Sequence, residues 1–133
     1  MSEEDSILSL HHASVLVADV ARSLEFYSGV LGLRTDPARP LLGFDGAWLR
    51  VNAEQQIHLL RLPNPDPVSG RAEHVGRDRH VALTVRDLVG VRARLDAAGI
   101  PYTQSRSGRA AVFCRDPDGN GVELIQAGAT AFT

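Results

Sequence analysis

Two stretches of the chain alternate apolar and polar residues in the same way. His12-Ala13-Ser14-Val15-Leu16-Val17-Ala18-Asp19 and His80-Val81-Ala82-Leu83-Thr84-Val85-Arg86-Asp87 each open on a histidine, follow the period of a half-buried strand, and reach an aspartate seven positions on. Such an aspartate accepts hydrogen bonds from the free N–H groups of a helix's first turn, so each copy predicts strand, cap and helix. The first helix is predicted from about Val20 to Leu31, with Val20, Leu24, Tyr27 and Leu31 on one stripe and Gly32 as its stop. The second carries Leu88, Val91, Leu95 and Ala98 on its stripe, stops at Gly99 and leaves through Ile100-Pro101.

Short strands follow each helix. In the first half they run roughly from Leu33 to Thr35, Ala47 to Val51 and Gln55 to Leu62, with turns at Asp45-Gly46 and Asn52-Ala53-Glu54. In the second they run roughly from Tyr102 to Ser105, Arg109 to Arg115 and Gly121 to Gln126, with turns at Ser107-Gly108 and Asp116-Pro117-Asp118-Gly119-Asn120. Between the halves, Pro63, Pro65 and Pro67 lack N–H donors, which marks a linker. The expected organisation is one domain, with module one at about residues 8–62, a linker at about 63–76 and module two at about 77–127. Each half is too small to cover both faces of its own sheet. The fold class expected is therefore α+β: two βαβββ modules forming a curved mixed sheet around a cavity, with the helices on the other face.

Alternation also decides where side chains point. Ala13, Val15 and Val17 form one apolar row and Val81, Leu83 and Val85 another, which leaves His12 and His80 on the opposite face. Ile57 and Leu59 bury, so His58 faces away from them; Val122 and Leu124 bury, so Glu123 does the same. Three imidazoles and a carboxylate thus come in matched pairs from equivalent places in a duplicated unit. That donor set suits a divalent ion such as Zn, Ni, Co, Mn or Fe(II), and leaves positions open for substrate. A strand histidine taken singly also fits a hydrogen-bonded structural role. His11 lies on the apolar parity and reads as structural or as the exposed start of the strand. His74 falls in a loop, at the surface or at the cavity mouth.

Composition narrows the function classes. A chain of 133 residues, 44% apolar and 23% charged, has the balance of a globular protein. Its net charge of -2 and scattered arginines speak against a nucleic-acid surface. Arg77, Arg79, Arg106 and Arg109 flank the strands near His80 and read as solvated surface or as contacts for an anionic substrate group. The one cysteine, Cys114, has no disulfide partner and reads as a half-buried apolar residue. The opening residues are acidic, where a secretory signal is basic and then apolar, and no apolar run is long enough for a membrane span. A reducing cytoplasm is the expected setting.

The run from His12 to Asp19, Ser23-Leu24-Glu25-Phe26-Tyr27 and Val30-Leu31-Gly32-Leu33 resembles the opening module of the vicinal oxygen chelate superfamily. That superfamily includes glyoxalase I, methylmalonyl-CoA epimerase, ring-cleaving dioxygenases, fosfomycin-modifying enzymes and bleomycin-binding proteins. Asp116-Pro117-Asp118-Gly119-Asn120 followed by Val122-Glu123-Leu124 resembles its closing strand. The likeness extends from about Leu8 to Gln126, and stretches such as Ile57-His58-Leu59 are similar to a glyoxalase-like branch. It implies the metal ligands His12, His58, His80 and Glu123, with an imidazole at His58 where glyoxalases of this size usually carry a glutamate.

The activity so implied is a glyoxalase-like lyase or isomerase acting on a small vicinal-oxygen substrate through a metal-bound enediolate, with Glu123 as general base. The alternatives are an Fe(II)-dependent dioxygenase and a non-catalytic protein that binds small molecules or antibiotics. The expected partners are a small-molecule substrate and a second copy of the chain in a homodimer.

Overall fold

The computed structural model describes residues 6–129, so the acidic Glu3, Glu4 and Asp5 lie outside the described residues. The first half contains β1 (His12–Leu16), α1 (Val20–Leu24), a π-helical segment (Glu25–Val30), β2 (Arg34–Thr35), β3 (Gly46–Arg50) and β4 (Gln56–Leu60). A 3-10 turn (Val75–Arg77) leads into β5 (His80–Val85), α2 (Leu88–Ala97), β6 (Tyr102–Gln104), β7 (Ala111–Arg115) and β8 (Gly121–Gln126). Both halves are therefore βαβββ units in an α+β fold.

The strands form two four-stranded sheets, with orders β1-β4-β3-β2 and β5-β8-β7-β6. In each, the first strand runs parallel to the last, and the other pairings are antiparallel. The mixed sheet expected from the two modules is formed as one four-stranded sheet from each, with β1 and β5 as edge strands.

The helix caps form as the aspartates predict. Asp19 Oδ1 accepts from Arg22 N at 3.1 Å and Asp87 Oδ1 from Gly90 N at 3.2 Å. Gly32 and Gly99 end the helices at φ of 82° and 68°, a backbone region that costs glycine little. The first helix departs from expectation: after Leu24 it widens to π-helical turns, and Leu31 N reaches back five residues to Phe26 O at 3.0 Å. The wider turn buries Phe26 together with Tyr27 and leaves Leu31 only partly covered.

One core joins the modules. Leu49, Ile57 and Leu59 from the first sheet and Val112, Val122 and Leu124 from the second belong to the same buried cluster as Tyr27 and Leu95. Each such fully buried aliphatic side chain contributes about 1.5–3 kcal/mol. Polar bonds cross the same boundary: Tyr27 OH donates to Asp116 Oδ2 at 2.7 Å, and Ala18 N to Asp118 Oδ1 at 3.0 Å. At the start of β8 the 3-10 turn and the residues after it pack closely, since a Cβ on Gly121 would lie 2.7 Å from Val75 Cγ1 and 2.8 Å from Arg79 O. Among the described residues no helix is long and apolar enough to cross a membrane.

Candidate metal centre

The second sheet brings His80 and Glu123 together. His80 opens β5 and Glu123 lies in the neighbouring parallel β8, on the face opposite Val122 and Leu124. His80 Nε2 lies 3.2 Å from Glu123 Oε1, and His80 Nδ1 lies 2.9 Å from the carbonyl oxygen of Asp78. A carbonyl only accepts, so Nδ1 carries the hydrogen. In the neutral ring Nε2 then presents a lone pair to a carboxylate oxygen. Two acceptors at that distance call for a cation, either a proton on Nε2 or a metal ion. Glu123 is 3% exposed, and its Oε2 is buried without a hydrogen-bond partner, with Arg109 Nη2 at 3.6 Å. The edge of Phe113 meets the His80 ring at 5.2 Å between centroids, while His80 itself stays open to solvent and Glu123 is buried.

Asp78 is itself fixed. Its carboxylate accepts from Arg71 Nε at 2.9 Å and from Arg115 Nη1 at 2.9 Å. Those two guanidiniums, Arg71 foremost, hold its pKa well below the usual carboxylate range. The clamp steadies the backbone carbonyl that orients His80, which is the outer-shell arrangement that ligating histidines generally show.

The first sheet brings His12 and His58 together. Their rings stack at 4.1 Å and 16°, and Trp48 stacks on His58 at 4.7 Å and 10°. Trp48 and His58 are direct partners across β3 and β4, so their shared face follows from register. Burial, followed by the charges of His12, His11 and Arg39, pushes the His58 pKa down. A neutral imidazole is the form that binds metal.

The four candidate ligands therefore meet as two pairs. Among the described residues no three His, Cys, Asp or Glu side chains cluster closely enough to hold a metal ion within one chain. The donor chemistry of each pair nevertheless fits a divalent ion. Imidazole nitrogens, a buried carboxylate oxygen without a hydrogen-bond partner and an outer hydrogen bond on His80 are the features such an ion needs.

The remaining singled-out residues fall in different places. His11 is exposed, with Nδ1 2.8 Å from His12 Nδ1. His74 is buried rather than superficial: its Nδ1 lies 2.8 Å from Thr103 Oγ1, and its ring packs edge-on against Phe113. Burial, then Arg106, Arg77 and His80, lower its pKa. Arg79 pairs with Asp66 instead of facing the site. Cys114 is 1% exposed, more buried than expected, and that burial, with Asp116, pushes its thiol up to about 12. A cavity of about 930 Å3, lined among others by Phe26, Val30, Ile100 and Tyr102, lies elsewhere, since none of His12, His58, His80 and Glu123 lines it. Trp48, Gln56 and Phe113 also touch these rings. The alternation that places Ala47 and Leu49 in the core also turns Trp48 toward His58.

Comparison with known proteins identifies the family and the fold. Residues 9–124 match the family model of the Glyoxalase/Bleomycin resistance protein/Dioxygenase superfamily. The chain is 31% identical over 123 residues to Glyoxylase I 4 of Arabidopsis thaliana, covering 89% of this chain and 70% of that protein. A glyoxalase family structure from Bacillus anthracis has a TM-score of 0.73 at 23% identity, with 92% of this chain and 98% of that one covered. The antibiotic binding protein TnmS3 of a Streptomyces species has a TM-score of 0.70 at 22% identity, with the same coverages. These two likenesses show the fold.

Proposed function

Because the chain belongs to the glyoxalase/bleomycin resistance protein/dioxygenase superfamily, we propose that it is a divalent-metal-dependent, glyoxalase-like lyase or isomerase acting on a small substrate with two vicinal oxygens. The observation that carries this reading is the approach of His80 Nε2 to Glu123 Oε1 with the outer nitrogen of His80 already committed. His12, His58, His80 and Glu123 would hold the ion, and the name of the Arabidopsis relative supports the reaction type.

When bound, the ion supplies Lewis acidity toward the two substrate oxygens and so makes the adjoining C–H more acidic. Glu123, the only carboxylate of the set, accepts that proton; its Oε2, with no hydrogen-bond partner, is the atom free to do so. His80 keeps its orientation through Asp78, and Phe113 supports its ring edge-on. Arg109, 3.6 Å from Glu123, offsets negative charge that develops nearby.

The separation of the pairs within one chain supports a homodimer, in which His12 and His58 of one protomer meet His80 and Glu123 of the other. The test is hydrogen–deuterium exchange at the C–H beside the carbonyl of hydroxyacetone, with protein loaded in turn with Zn, Ni, Co, Mn and Fe(II). Exchange that depends on the ion and stops on chelation is expected. No exchange with any ion, or oxygen uptake with a catechol in its place, would overturn the reading.

A further inference from the structure

His58 is held by a chain of hydrogen bonds that begins two strands away. Asp36, just after β2, accepts from Ala38 N at 2.9 Å, Arg50 Nη2 at 3.1 Å and Gln56 Nε2 at 2.9 Å. These donors, the Ala38 amide foremost, hold its pKa below the ordinary carboxylate value, so at neutral pH it only accepts. The Gln56 amide must therefore turn its NH2 toward Asp36. That leaves Gln56 Oε1 facing His58 Nε2 at 2.9 Å, and an amide oxygen also only accepts. The hydrogen of the neutral His58 ring sits on Nε2, and Nδ1 keeps the lone pair. Stacking of both Trp48 and His12 on His58 fixes the plane of the ring.

We propose that Asp36 and Gln56 are positioning residues that lock His58 in its Nε2–H tautomer, so that Nδ1 is the nitrogen offered to the metal ion. This rests on the metal reading above. His80 is held in the opposite sense, with Nδ1–H on the Asp78 carbonyl and Nε2 turned to Glu123. The two modules thus present different imidazole nitrogens.

The test is long-range proton–nitrogen NMR of the metal-free protein, with His58→Ala to assign the ring, alongside Zn(II) affinity measured by chelator competition. The wild type should show its hydrogen on Nε2. Gln56→Leu removes the acceptor and should give mixed tautomers with Zn(II) binding weakened about 10- to 100-fold. Asp36→Asn, which lets the Gln56 amide turn over, should give a partial mixture and covers the case in which Gln56→Leu fails to fold. A wild-type hydrogen on Nδ1, an unchanged tautomer in the variants, or mixed tautomers with unchanged affinity would overturn the proposal. A locked tautomer in a wild type that binds no zinc would instead overturn the metal reading, which separates the two failures.

Discussion

Nε2 of His80 lies 3.2 Å from Oε1 of Glu123 while the other nitrogen of that ring donates to the Asp78 carbonyl. In the proposed function Glu123 would have two tasks, as ligand and as base. Glu123→Gln separates them, because an amide oxygen can still ligate but cannot take up a proton at neutral pH. Turnover should fall by about 10²- to 10⁴-fold while elemental analysis finds metal retained. Activity that survives would remove Glu123 from the base role.

A site divided between two chains can be rebuilt from two damaged ones. His58→Ala and Glu123→Gln, each inactive alone, place their lesions in opposite pairs. Mixed and allowed to exchange subunits, they should recover about a quarter of the wild-type sites, since half the dimers are mixed and each mixed dimer has one intact site. No recovery after verified exchange would place the whole site within one chain.

Asp78 is a predicted source of acid sensitivity. Its carboxyl is held below the ordinary value of 3.8 by Arg71 and Arg115. A depressed folded pKa stabilises above the unfolded value, and that contribution is lost as pH falls through the folded one. Asp78→Asn should therefore lower the Tm at pH 7. The gap from wild type should narrow as the pH drops below about 4. A gap independent of pH would mean that the charge of Asp78 contributes nothing.

The Tyr27–Asp116 bond ties the first helix to the second module. Burial raises the Asp116 pKa, and hydrogen bonds from Asn120 and Tyr27 act against that rise. Tyr27→Phe removes one donor from a buried carboxyl and should cost about 1–3 kcal/mol in urea unfolding. A loss near zero would show that Asn120 and the amide of Asp118 suffice for Asp116.

Much of this was readable from alternation. The parities of Ala13, Ile57, Val81 and Val122 turn His12, His58, His80 and Glu123 away from the core, and Asp19 and Asp87 mark both helix starts. Alternation assigns a face within a strand, but it does not say which sheet lies beside which. The division of the four residues into two pairs was therefore hidden. The π-helical widening after Leu24 was hidden too, because the apolar spacing of Leu24, Tyr27 and Leu31 suits a regular α-helix as well. The burial of His74 was not legible, because nothing local encodes the packing of its loop on Phe113. The link from Asp36 through Gln56 to His58 depends on β2, β3 and β4 lying side by side, a relation carried by the sheet and not by any one strand.

In the proposed function one divalent ion is held jointly by His12, His58, His80 and Glu123. X-ray absorption at the metal edge of the loaded protein tests it most directly, because it counts imidazoles around the ion. Three imidazoles per ion in the wild type, and one fewer in His58→Ala and in His80→Ala, is the predicted result. An ion environment that stays the same in both variants would contradict the account.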